Sequence, residues 1–212
     1  MVRPAAVTTP ARGNRACPPA AHQWTIVLGI LGLGAAVVVR MQIAGPAGAR
    51  SAVAGTWFAV ALIALALLTR GSLPPRPVVS RWRSRPIALG LTGALVLCAP
   101  PALRHLVLGR DALPGGGFLT WAAVVVLVAV AEETLLRGSL YRAIERSHGT
   151  AVAIAVTSVA FALLHAPLYG WAVVPLDITV GVWLGALRAV SGSVTAPALA
   201  HALADLAGWW IR

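Results

Sequence analysis

Seven stretches of the chain are apolar over roughly the 17–25 residues that a helix needs to cross a bilayer. They lie near residues 24–43, 52–69, 87–108, 117–136, 149–168, 171–188 and 194–211. A helix satisfies its own backbone N–H and C=O groups, as hydrocarbon requires. The expected fold is therefore all-α, a polytopic transmembrane helical bundle with about seven spans. Only 11% of the 212 residues are charged and 58% are hydrophobic, whereas a soluble domain carries about 25% charged residues. That balance excludes a disordered, collagen-like or ordinary cytosolic chain.

All seventeen basic residues are arginines, giving a net charge of +11. They are scattered between the apolar runs and form no basic stripe, so no nucleic-acid partner is expected. In a membrane protein such residues mark cytoplasmic loops. With the N-terminus inside, eleven arginines fall on the cytoplasmic side: Arg3, Arg12, Arg15, Arg70, Arg76, Arg81, Arg83, Arg85, Arg142, Arg146 and Arg188. Five fall outside: Arg40, Arg50, Arg104, Arg110 and Arg212. The expectation is N-in. Arg188 is expected to snorkel to the inner interface. The Pro-, Ala- and Arg-rich composition points to a bacterial plasma membrane.

Residues 1–23 read as a disordered tail, 24–116 as accessory transmembrane helices and 117–211 as a catalytic core. The first apolar run exceeds the secretory h-region of about 7–15 residues, so it reads as a retained anchor. Cys17 lies in the polar tail and Cys98 in an apolar run, and no disulfide or zinc-finger spacing is expected.

Six residues are acidic, and four of them sit inside apolar runs: Glu132, Glu133, Asp177 and Asp205. His165 and His201 do so too. An ionisable group at the bilayer centre costs on the order of 3 kcal/mol on insertion scales, so it has a partner or a task. Glu133 and Arg137 stand four apart in the favourable order and can pair on a helix. Glu132 points about 100° away and lacks that partner. Phe161 and His165 share a helix face, as do His201 and Asp205. Continued helical patterning through Leu140 and Ile144 extends the fourth helix to about residue 147. That length brings Glu132, His165, His201 and Asp205 to one polar site reached from the cytoplasmic side. Asp177 matches no motif and reads as a partner for an arginine at the outer end.

A carboxylate with two imidazoles and a second carboxyl group suits water activation. Glu132 would take a proton from water, which would attack a carbonyl carbon. His165 and His201 would stabilise the oxyanion as donors, or hold a metal such as zinc together with Glu132 and Asp205. No HExxH and no GxSxG occurs.

The order EExxxR, FxxxH, HxxxD resembles the CPBP family of intramembrane proteases, which includes the type II CAAX prenyl endopeptidases and Abi proteins. The motifs here are Glu132-Glu133-Thr134-Leu135-Leu136-Arg137, Phe161-Ala162-Leu163-Leu164-His165 and His201-Ala202-Leu203-Ala204-Asp205. The resemblance covers residues 117–211 and implies endopeptidase action on a membrane-associated peptide or protein. It implies that Glu132 is the water-activating base, that Glu133 and Arg137 support it, and that His165 and His201 are catalytic. Asp205 stands where many members have Asn. An Asn amide donates to an oxyanion and an ionised Asp does not, so Asp205 is left to act protonated, to orient His201 or to ligate a metal. The reading taken is metal-free, with zinc as the alternative cofactor. The competing function is a non-enzymatic membrane protein, an ion or proton transporter or an immunity-type scaffold, using the same buried cluster.

Overall fold

A computed structural model describes residues 19–70, 84–108 and 117–211. The described residues are helical apart from short connections, with no strand among them. The helices are α1 (Pro19–Ala44), α2 (Ala52–Arg70), α3 (Ser84–Leu108), α4 (Phe118–Glu133), α5 (Tyr141–Tyr169), α6 (Val174–Ser191) and α7 (Thr195–Ile211). The tail expected at residues 1–23 lies outside the described residues as far as residue 18, and the chain is already helical from Pro19. The basic loop within residues 71–83 lies outside them too.

Among the described residues, five helices are long and apolar enough to cross a membrane: Gln23–Arg50, Ala52–Arg70, Ser84–Arg104, Phe118–Tyr169 and Trp171–Ser191. The fourth of these is 52 residues long, about 78 Å at helical rise and far beyond a single crossing. It folds back on itself. At Gly149 the backbone takes φ 82° and ψ 171°, a conformation that glycine adopts without a Cβ clash. Beyond this turn Ala153 packs against Tyr141 and Ile144. Helix α7 has 17 residues, about 26 Å, which is shorter than a typical hydrocarbon core.

The first leg of that long element is the extended fourth helix read from the sequence. It runs from Phe118 through Glu133 and a π-helical turn, Thr134–Leu140, into Tyr141 and the residues before Gly149. A π turn inserts extra backbone into the helix and tends to occur where function needs a side chain re-aimed. Here it carries Arg137.

The bundle packs α3 against α7, α5 against α6, α1 against α2, and both α2 and α7 against α4. Its interior joins Phe58 and Leu62 of α2, Leu135, Leu136 and Leu140 of the π turn, and Leu184 of α6, all nearly solvent-free. Its outside is as apolar as its inside. Leu68, Leu106, Leu119 and Trp171 are among many large exposed hydrophobics. A soluble monomer does not tolerate apolar surface on this scale, whereas lipid does. Phe118 and Trp121 at the start of α4 meet Trp209 and Trp210 at the end of α7, with centroid distances of 4.8–5.4 Å. These rings bring the two helix ends together and suit a membrane interface.

Candidate active site

The cluster is built outward from a buried ion pair. Arg137 Nη1 donates to Glu133 Oε1 at 3.0 Å, and both side chains are completely buried. This is the four-residue pairing that the sequence spacing predicts, and it persists into the π turn. Arg137 Nη2 donates to the Gly181 carbonyl at 3.0 Å, and the guanidinium lies over the Phe161 ring at 4.9 Å. Gly181 lets α6 approach α5. A Cβ there would stand 2.8 Å from Ser158 Cα, closer than packed atoms tolerate.

Arg188 does not snorkel. It is buried, its Nε donates to the Arg137 carbonyl at 2.9 Å, and it stacks over Tyr141 at 5.0 Å. The π turn frees backbone acceptors from the regular helical ladder, and Arg188 takes one of them. Arg188 thus fastens α6 to the turn that carries Arg137.

His201 of α7 joins the same carboxylate. Its Nδ1 lies 3.2 Å from Glu133 Oε1. A carboxylate only accepts, so Nδ1 carries the hydrogen. On the other side, Nε2 lies 3.5 Å from Asp205 Oδ2. The ring therefore sits between two carboxylates, one buried and one partly exposed.

Phe161 separates the two histidines. Its ring meets His165 edge-on at 4.7 Å and His201 edge-on at 5.3 Å. His165 Nδ1 donates to the Phe161 carbonyl at 3.0 Å and faces Asp177 Oδ2 at 3.8 Å. Asp177 therefore partners His165 rather than the outer-end arginine expected from the sequence. The signal was its place as an acidic residue in an apolar run. Spacing along one helix cannot show which neighbouring helix it meets.

Glu132 is nearly solvent-free, and its Oε1 has no hydrogen-bond partner in the protein. It does not share the Glu133–Arg137 pair, as its angular offset predicts. Its charge is near enough to interact with those of His201 and Asp205. Contacts thus link Glu133, Arg137, His201 and Asp205 directly. His165 joins them through Phe161, and Glu132 lies beside them with an open oxygen.

The four residues that would hold a zinc ion do not converge. Among the described residues, no three His, Cys, Asp or Glu side chains form a group that could hold a metal. Both ring nitrogens of His201 already face carboxylates. No step below is routed through a metal.

Residues 114–207 match the family described as Rce1-like, type II CAAX prenyl endopeptidase. No curated protein and no solved structure matches the chain. The matched stretch holds the residues of the cluster from Glu132 to Asp205, and this part of an integral-membrane chain is thereby similar to the protease domain of the Rce1-like type II CAAX prenyl endopeptidase family.

Proposed function

We propose that this protein is an intramembrane endopeptidase in which Glu132 activates water to hydrolyse a peptide bond of a membrane-associated protein or peptide. The observation that carries the reading is the division of labour between adjacent glutamates. Glu133 is committed through Oε1 to Arg137 and His201, only its Oε2 being unpartnered, whereas Glu132 makes no ion pair among the described residues and its Oε1 is buried without a protein partner. A buried carboxylate oxygen with an open lone pair is placed to hold and deprotonate water.

The step balances within the cluster. Glu132 takes a proton from water as the water oxygen bonds to the scissile carbonyl carbon. The carbonyl oxygen becomes an oxyanion and accepts a hydrogen bond from His201 Nε2–H, the ring being held as an imidazolium between Glu133 and Asp205. The C–N bond then breaks, and the proton held by Glu132 passes to the leaving amine. Asp205 Oδ2, 3.5 Å from Nε2, holds that hydrogen loosely and yields it to the oxyanion as the oxyanion forms. His165 donates through Nδ1 to the Phe161 carbonyl, which leaves Nε2 to face the substrate, and Asp177 steadies that ring. The reaction is metal-free in this reading.

Residues 117–211 form the catalytic core in this account and 24–116 the accessory helices. The arginine distribution supports an N-in orientation, and the composition supports a bacterial plasma membrane. Glu132→Ala and His201→Ala abolish cleavage of a membrane peptide while leaving expression and insertion intact. Full activity in both variants overturns the reading. Proton or metal flux in sealed vesicles that is lost in Glu132→Gln, with no peptidase activity, would replace it with a transporter.

A further inference from the structure

The arginine counts of the sequence place Arg40 in an outer loop. The structure buries it near the end of α1, 7% exposed, with its guanidinium 4.6 Å above the Phe58 ring of α2. Among the described residues, no carboxylate comes within ion-pair distance of it. A buried cation in a membrane protein needs compensation by an opposite charge or a polar cavity.

Helix packing shows which charge is near. Gly55 of α2 packs on Val124 and Val128 of α4. Eleven residues further along α2, the Ala66 carbonyl accepts from Ser139. Phe58 lies between these two contacts and is therefore level with the stretch of α4 just before Glu132, within about one turn, or ~5 Å along the axis. Packing from the other side agrees. Gly29 of α1 lies against Leu140 so closely that a methyl group there would overlap it. Arg40 is eleven residues from Gly29, and Ala129 is eleven residues before Leu140. Arg40 and Glu132 thus lie within about one turn of the same depth, near enough for their charges to interact.

We propose that Arg40 is a positioning residue that acts through Glu132: it supplies the counter-charge that keeps the Glu132 carboxylate in place and ionised. The inference rests on Glu132 being the water-activating base, and it deepens that reading. Each member of the pair is buried without a direct partner of opposite charge, at nearly one level of the bundle. Arg40 lies outside residues 114–207, so this contact gives α1 and α2 a part in the chemistry. Phe58 holds the guanidinium by a cation–π contact and fixes the direction in which it faces.

The test compares Arg40→Met and Arg40→Lys with wild type in proteoliposomes of the full chain. The probe is a reporter peptide bearing a prenylated cysteine near its C-terminus. Arg40→Met should lower kcat by about tenfold or more with KM little changed, and Arg40→Lys should restore most of the rate, because the charge acts on the base and not on substrate binding. A purely structural role would give equal losses in both variants, or a loss in KM. Infrared difference spectra of each variant against its Glu132→Gln partner provide a second readout that needs no substrate. The Glu132 carboxylate band should be present in wild type, lost in Arg40→Met and regained in Arg40→Lys. An unchanged band in Arg40→Met overturns the proposal, whatever the activity. If the band changes as stated but Glu132→Gln still cleaves at the wild-type rate, the counter-charge stands and the catalytic reading fails.

Discussion

His201 Nδ1 lies 3.2 Å from Glu133 Oε1, so a carboxylate on α4 and an imidazole on α7 meet across 68 residues of sequence. The same oxygen accepts from Arg137. Glu133 is thus the joint of the site, and Glu132 beside it is left open. Replacing Glu133 should damage two things together. Glu133→Gln leaves the buried Arg137 unpaired, a loss of about 3–5 kcal/mol for a broken buried pair. It also releases His201. Denaturation in mild detergent should show the lost stability, and a peptide assay the lost rate. Glu132→Gln should lose the rate with a smaller loss of stability, because among the described residues no direct ion pair depends on it.

Arg137 is expected to tolerate no lysine. Its planar fork reaches Glu133 and the Gly181 carbonyl at once while lying over Phe161. An ammonium on a flexible stem does not reproduce that geometry. Arg137→Lys should lower thermal stability nearly as much as Arg137→Met. Gly181→Ala should act at the same seam by pushing α6 off Ser158, at a cost of about 1–3 kcal/mol. A fully stable Gly181→Ala would show that the α5–α6 approach is less tight than described.

Asp205 offers a test by comparison with the residue that the resembling family carries there. Asn keeps an acceptor for His201 and adds a donor for an oxyanion. Asp205→Asn should keep at least about a tenth of the wild-type rate, whereas Asp205→Ala should lose about 10–100-fold, the usual range for an outer partner of a catalytic or ligating histidine. Equal rates in the two variants would remove Asp205 from the account.

Asp177 should matter through His165. Asp177→Asn is expected to reduce kcat by about tenfold, with KM nearly unchanged. In a His165→Ala background the same change should have no further effect, because residues that act as one unit are not additive. Additive losses would mean that Asp177 works elsewhere.

The parts of this molecule that sequence spacing reveals are the parts that lie on one helix. Glu133 with Arg137, and His201 with Asp205, are each four residues apart and meet as that spacing requires. The extension of the fourth helix past Leu140 was legible from its apolar repeat. The missed features depend on which helix faces which. Asp177 meets His165 across α5 and α6, Arg188 reaches the Arg137 carbonyl, and Arg40 turns inward over Phe58. In an alanine-rich bundle almost every helix face is apolar, so hydrophobic patterning does not separate the lipid side from the interior. The π turn was equally hidden, since no residue type marks it.

The central claim is that Glu132 activates water against a peptide bond. Its most direct test is a map of membrane-protein C-termini, made in ¹⁸O-labelled water, from membranes containing the active chain or Glu132→Gln. The account predicts a set of new C-termini, each carrying one ¹⁸O, that appear with the active chain and vanish with Glu132→Gln. The same new C-termini at undiminished levels with Glu132→Gln would contradict it.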